Sequence, residues 1–213
     1  MIIYLKYAQR ARWSAQKLSR ISADKGKILL NISAVSSKLG EEGMVKTNAL
    51  PKYDMSDNPT NCCPRFNPEG WDEQDLHFKD KLFVRAKTRS VLHIPINMGA
   101  VFRKTFGAIE NAKAKDEKDF IVLSYDPSAW TGEHYFSVNK PVAGQEMVPM
   151  SGDYLTKVFE GPYRNVPAWE KEMNTYVKSK GKQMKKNYFF YTTCPKCAKF
   201  YGKNYVVAVS EVQ

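Results

Sequence analysis

The chain has 213 residues, of which 43% are hydrophobic and 13% aromatic, a composition that supports a packed core and excludes global disorder. Its formal net charge is +11, yet no helix-turn-helix, zinc-finger or RNA-binding aromatic motif accompanies that charge, so we expect no direct nucleic-acid partner. No run of 18 apolar residues is present, so we expect no membrane partner. The four cysteines occur without a convincing secretory signal, which predicts a reducing, cytoplasmic location.

Residues 1–43 differ from the rest of the chain. They hold eight basic and three acidic residues, which is +5 of the net charge. Three interpretations remain open. The segment is a basic amphipathic helix that packs on the domain or on a partner, or an organelle transit peptide, or sequence upstream of the true start, with Met44 as the alternative first residue.

Residues 44–79 are polar and contain four prolines, so we expect an irregular arm with few regular elements. The arm also carries Trp71 and a cysteine pair, which suggests that it anchors onto the domain. The folded domain itself is predicted to span residues 80–213.

The domain begins with a predicted strand, helix, strand and strand. Residues 82–94 have the alternation and bulk of a strand. Residues 98–109 place apolar side chains at three- and four-residue spacings, as on one face of a helix. Residues 120–125 and 133–138 are predicted as the next two strands.

The same order then repeats. A strand is predicted over 154–160, a helix over 166–177, and strands over 188–193 and 204–212. Two units of similar length predict an α+β fold. Duplicated strand–helix–strand–strand units would form a pseudo-twofold antiparallel sheet with two helices on one face.

A set of short motifs runs through the second half of the chain: Tyr125-Asp126-Pro127, Gly132, Gly152-Asp153-Tyr154, Gly161-Pro162-Tyr163, Trp169, Tyr176 and Gly181. Together they resemble the gyrase-inhibitor-like (GyrI-like) family. This family includes effector-binding domains of multidrug-responsive transcription regulators and stand-alone proteins, some of which hydrolyse cyclopropane-bearing natural products. The resemblance implies a ligand pocket at the centre of the two repeats.

Two features distinguish this chain from many members of that family. Regulator members carry a DNA-binding helix-turn-helix, and residues 1–79 offer none. Many members also place a pocket glutamate two residues before a tyrosine on the strand after the second helix. Here Phe189 stands at the glutamate position and Tyr191 at the tyrosine position. The resemblance therefore implies that the pocket acid comes from another strand and that Tyr191 orients water or a leaving group.

Strand alternation supplies the candidate acids. Glu160 shares a strand face with Tyr154, and Glu133 shares one with Tyr135. A carboxylate in an apolar pocket can act as a general acid or base; the alternative is that both glutamates are surface acids paired with lysines. Predicted catalytic residues are thus Glu160, Tyr191 and Glu133, and predicted ligand-binding residues are Trp130, Tyr135, Tyr154, Tyr163 and Phe189.

The four cysteines suggest a metal site. Cys194 and Cys197 flank Pro195 and Lys196 in a predicted turn over 194–203, a spacing at which two thiolates can share one zinc ion. Cys63, with or without Cys62, could supply a further ligand from the arm. Adjacent cysteines rarely both bind one ion, so His77 is another candidate. A redox pair and inert buried thiols remain the alternatives to structural zinc.

Two functions follow as hypotheses. One is a hydrolase that adds water to electrophilic, cyclopropane-type aromatic compounds and thereby detoxifies them, with no cofactor required for the reaction. The other is a non-catalytic module that sequesters a small apolar or aromatic ligand, or that binds a protein partner as the gyrase-inhibitory members do.

Overall fold

The computed structural model describes residues 46–116 and 119–213, so the expectations for residues 1–43 and Met44 lie outside the described residues. These described residues contain seven strands and three α-helices. The strands are β1 (Asp75–Val91), β2 (Ile94–Pro95), β3 (Val122–Ser128), β4 (Thr131–Ser137), β5 (Glu146–Glu160), β6 (Met184–Tyr191) and β7 (Tyr205–Val212). The helices are α1 (Met98–Asn111), α2 (Val166–Ser179) and α3 (Pro195–Tyr201).

The sheet closes on itself. The strand order is β2-β1-β4-β3-β6-β7-β5, and β5 pairs back with β1, so six antiparallel strands form a barrel. Closure depends on the length of β1, which has 17 residues and pairs with both β4 and β5. The α+β class and the antiparallel pairing are confirmed.

Alternation sorts the strand residues into an inner and an outer layer. Large apolar and aromatic side chains from all six barrel strands fill the interior: Phe83, Leu123, Tyr135, Tyr154, Tyr188, Phe190, Val207 and Val209. The centre of the barrel is therefore occupied by side chains, and the central ligand pocket stays a prediction.

The two long helices pack on the outside of the barrel. Ile109 of α1 lies in a buried cluster with Val84 and Phe136 of the wall. Trp169 of α2 stacks on Phe159 of β5, with their ring centroids 5.5 Å apart. Among the described residues, no helix combines the length and apolarity needed to cross a membrane.

The arm is part of the barrel core. Phe66 and Trp71 are buried in the interior cluster, and both rings contact Phe190 of β6. The indole N–H of Trp71 donates to the carbonyl of Lys52 at 2.9 Å, which fixes the course of the arm. β1 begins at Asp75, five residues before the predicted boundary of the folded domain.

One prediction about local structure was wrong. The region 194–203 was expected to be a turn, but it contains α3, which begins at Pro195 and ends at Tyr201, followed by Gly202 with φ of 69°. Proline at the first helical position and glycine in the left-handed conformation after the last turn are both typical of helix ends.

His134 is buried between β4 and α1, on the opposite face from its neighbour Glu133. Its Nδ1 lies 2.9 Å from the Ser124 hydroxyl and its Nε2 lies 3.1 Å from the Thr88 hydroxyl. The ring also contacts Phe102, with centroids 4.9 Å apart. Burial lowers the pKa of His134 to about 4, because the charged imidazolium would lose its hydration there.

We therefore expect the protein to lose stability as the pH falls from about 6.5 to about 4. Over that range the unfolded state takes up a proton on His134 and the folded state does not, which costs up to about 3 kcal/mol. Urea denaturation at a series of pH values measures this loss, with His134→Gln as the variant that lacks the titrating ring. Parallel losses in the wild type and His134→Gln would contradict the assignment.

Candidate active site and candidate metal centre

Charged side chains converge at one end of the barrel. Glu133 of β4, Arg85 of β1 and Lys186 of β6 are in phase with the inward-facing residues Tyr135 and Tyr188. The side chain of Glu133 is only 14% exposed. Because water still reaches part of Arg85 and Lys186, this end of the barrel combines restricted solvation with access from outside.

Glu133 has partners on both carboxylate oxygens. Arg85 Nη1 lies 3.6 Å from Oε1, and Lys186 Nζ lies 3.8 Å from Oε2. The hydroxyl of Tyr135 also donates a hydrogen bond to Oε2. Arg85 is held in turn by a close ion pair with Glu146 of β5, which raises the pKa of the guanidinium. The carboxylate is thus fixed by residues from several different strands.

Three tyrosine rings surround the ammonium group of Lys186. The Nζ atom lies 4.0 Å from the ring centroid of Tyr125, 4.9 Å from that of Tyr188 and 5.2 Å from that of Tyr135. These are cation–π distances. Nζ also lies 3.3 Å from the Tyr135 hydroxyl, so the lysine joins the rings to the carboxylate.

Burial shifts the titration of this group of residues. It lowers the pKa of Lys186, since the ammonium loses hydration. It raises the pKa of Tyr135 to about 12, and raises that of Tyr188 as well. The tyrosines therefore stay neutral near pH 7 and can donate hydrogen bonds. We define the acid–base cluster as Arg85, Glu133, Tyr135 and Lys186.

The structure separates the predicted catalytic residues. Glu160, at the end of β5, has a side chain that is 52% exposed and lies 3.9 Å from Lys203, which matches the surface-acid alternative. Tyr191, at the end of β6, packs against Tyr163 with centroids 5.7 Å apart. Of the three, only Glu133 lies in the acid–base cluster.

The predicted ligand-binding residues are likewise divided. Tyr135 and Tyr154 face the barrel interior. Phe189 packs on the outer wall beneath α2, and Tyr163 donates a hydrogen bond to the carbonyl of Thr193. Trp130 is exposed in the turn between β3 and β4. The inward positions of β6 are Lys186, Tyr188 and Phe190, and Phe189 lies on the opposite face of that strand.

Arg85 and Lys186 were missed by the sequence analysis. Lys186 lies two residues before the inward-facing Tyr188, and the alternation of β6 would have placed it in the interior. Arg85 lies two residues after the inward-facing Phe83 on β1, so alternation would have placed it in the interior as well. Lysine and arginine on a strand are more often solvent-exposed, which is why neither was considered.

A second group of reactive side chains lies where the arm meets the connection between β6 and β7. The sulfurs of Cys62, Cys63, Cys194 and Cys197 all lie within 4.8 Å of one another. Cys62 Sγ is 3.7 Å from Cys63 Sγ and 4.0 Å from Cys194 Sγ. Four thiolates around one zinc at about 2.3 Å would be about 3.8 Å apart, so the spacing suits a tetrahedral ion.

Neighbouring groups hold the cysteines in place. The backbone N–H of Cys194 points at Cys63 Sγ at 3.3 Å, and the Tyr201 hydroxyl donates to the Cys63 carbonyl at 2.7 Å. Thr60 lies 3.4 Å from Cys197 Sγ. His77, the alternative ligand, lies on β1 and pairs with Asp153 at 2.7 Å instead. Both adjacent cysteines therefore reach the cluster.

Comparison with known proteins gives the family. Residues 53–212, about three quarters of the chain, match the family described as bacterial hydrolase. The chain belongs to this family. None of the curated proteins matches it.

Two solved structures are similar in fold. One is an uncharacterized conserved protein from Listeria innocua, with 10% identity, 67% of this chain and 93% of that chain covered, and a TM-score of 0.51. The other is a hydrolase from Listeria innocua, with 10% identity, 67% and 92% coverage and a TM-score of 0.47. At such identity the likeness concerns the fold alone. The resemblance to GyrI-like proteins stays a prediction.

Proposed function

We propose that this member of the bacterial hydrolase family adds water to small electrophilic aromatic compounds at the acid–base cluster. One observation carries the proposal: Glu133 is largely shielded from solvent, yet it is held by two cations and a phenol at a tyrosine-lined end of the barrel. Restricted solvation with fixed polar partners is typical of catalytic sites.

The roles follow from the contacts. Glu133 takes a proton from a water molecule as that water attacks the electrophilic carbon. The strained bond at that carbon breaks, and the Lys186 ammonium, which lies beside the same carboxylate, donates a proton to the oxygen or carbon that receives the bonding electrons. The hydroxyl of Tyr135 continues to donate to Glu133 Oε2 and helps to hold the carboxylate. Arg85 keeps Glu133 oriented. The ring of Tyr125, which is only partly buried, offers flat apolar surface to an aromatic substrate.

The substrate class is proposed from the resemblance and from the site. Strained cyclopropane-type rings need a nucleophile and an acid close together, which water bound to Glu133 and the Lys186 ammonium would supply. The site would draw on both predicted repeats, since Arg85, Glu133 and Tyr135 come from the first and Lys186 from the second. Hydrolysis of such compounds would serve detoxification.

We expect Glu133→Gln to lower kcat by about 100-fold or more, because an amide cannot accept the proton. The assay follows disappearance of a cyclopropane-bearing aromatic alkylator, and separately of an aromatic ester, by chromatography. Glu172→Gln, which alters an exposed acid on α2, is the matched control. Full activity in Glu133→Gln, or loss of activity in Glu160→Gln instead, would place the reacting acid elsewhere.

A non-catalytic ligand-binding role is the second candidate. It is favoured by the position of Lys186, whose ammonium group already lies between three tyrosine rings. The charged groups of the acid–base cluster therefore have partners within the protein. A compound that raises the Tm of the protein and is recovered unchanged would support this role over hydrolysis.

We also propose that the four cysteines bind one structural zinc ion. A complete set of four thiolates leaves no open position for substrate, which is the arrangement of structural rather than catalytic sites. The ion would fasten the arm to α3, and the arm in turn places Phe66 and Trp71 in the barrel core.

Protein purified anaerobically should contain one equivalent of zinc. Cys194→Ser should lose it and show a lower Tm, by about 2–4 °C for each 1 kcal/mol of stability lost. Lys196→Ala, an exposed change between the two cysteines, should keep both the zinc and the Tm. Less than a stoichiometric equivalent of metal in the wild type would end the proposal.

A further inference from the structure

An apolar surface protrudes at the tip of the hairpin that β1 and β2 form. Five large apolar side chains there are between 45% and 68% exposed. They form the hairpin-tip surface: Val91, Leu92, Ile94, Ile96 and Trp130. These five are most of the large hydrophobic residues that are exposed in residues 46–116 and 119–213. Contiguous exposed apolar side chains on a soluble domain usually mark an interaction site.

The five residues belong to two adjacent turns. Val91 pairs with Ile94 across the β1–β2 hairpin. The turn between β3 and β4 lies beside it, because the backbone N–H of Ser90 donates to the Trp130 carbonyl at 2.8 Å and that of His93 donates to the Ala129 carbonyl at 2.9 Å. Trp130 is thus held next to the aliphatic tip.

The sequence of the tip is unfavourable for a simple turn. Leu92 and His93 have φ of 50° and 66°, in the left-handed region that glycine and asparagine adopt more readily. A bulky leucine therefore stands exposed at the apex at a conformational cost. Pro95 on the short outer strand lacks a backbone N–H, which disfavours the addition of a strand from another protein at this edge.

The part of the chain that contains the tip is strongly basic. Residues 85–104 contain five basic and no acidic residues: Arg85, Lys87, Arg89, Arg103 and Lys104. All except Arg85 are exposed. The neighbouring strand β3 adds one exposed acid, Asp126. The charge that complements this surface is negative.

We propose that the hairpin-tip surface binds an anionic lipid bilayer. The aliphatic side chains enter the boundary between headgroups and acyl chains, Trp130 lies at the headgroup level that its ring prefers, and the exposed Lys and Arg side chains contact anionic headgroups. The contact is peripheral and involves no spanning segment. It depends on apolar insertion and on charge together, as stable anchoring requires more than one signal.

Vesicle cosedimentation of the full chain tests the proposal. Vesicles of phosphatidylcholine alone are compared with vesicles that also contain phosphatidylserine. The triple variant Leu92→Ser/Ile94→Ser/Trp130→Ser removes the apolar contact. Phe200→Ser is the matched control, because Phe200 is 64% exposed and belongs to α3, which connects β6 and β7. Residues 1–43 are basic and are present in every variant, so differences between variants report the tip alone.

We expect the wild type to bind the phosphatidylserine vesicles and the triple variant to bind them at least about tenfold more weakly, with Phe200→Ser unchanged. Arg89→Gln/Arg103→Gln should weaken binding to a similar degree. Three results would overturn the proposal: no binding by the wild type, equal binding by the triple variant, or a dimer that the triple variant turns into a monomer while lipid binding stays the same.

Discussion

Closure of the barrel by the pairing of β1 with β5 is the constraint on which the rest of the structure depends. Glu146 lies opposite Arg85 in that pairing, and Arg85 lies opposite Tyr135 in the pairing of β1 with β4. Arg85 is therefore positioned between the two halves of the sheet. In an open sheet β1 and β5 would not meet across this seam, and Arg85 would lose its partner Glu146.

The inner and outer layers of the barrel separate two kinds of chemistry. Glu133 and His134 are consecutive, but strand alternation places their side chains on opposite faces of β4. The carboxylate of Glu133 lies at the charged end of the interior, and the imidazole of His134 lies in the apolar space under α1. His134 is kept neutral by burial and by two hydroxyl partners, so it acts as a structural residue. Glu133 is held by two cations and a phenol, and we propose that it is the residue that transfers the proton.

The contact between the arm and the cysteines of the β6–β7 connection is a second constraint on how the barrel core packs. Cys62 and Cys63 are far in sequence from Cys194 and Cys197, but the arm crosses one end of the barrel and brings them together beside α3. The same stretch of chain carries Phe66 and Trp71 into the interior, so the position of the cysteines and the packing of the core are linked. An ion at the cysteines would stabilise both.

Periodicity in the sequence predicted the long elements well, since residues 98–109 and 166–177 have a helical apolar face and both are helical in the structure. The cysteine grouping was predicted in part. Barrel closure could not be predicted, because it depends on pairing between β1 and β5, which are distant in sequence. The site was harder still, because the strand predicted over residues 188–193 began two residues after Lys186, whereas β6 begins at Met184.

The central claim is that Glu133 and Lys186, from opposite halves of the barrel, act as one unit. A double-mutant cycle with Glu133→Gln, Lys186→Met and the combined variant, each measured by urea denaturation, tests it most directly. The account predicts that the two changes are coupled by about 0.5–3 kcal/mol, as expected of residues in one polar network. Changes that add within about 0.3 kcal/mol would contradict it, because residues that do not interact behave in that way.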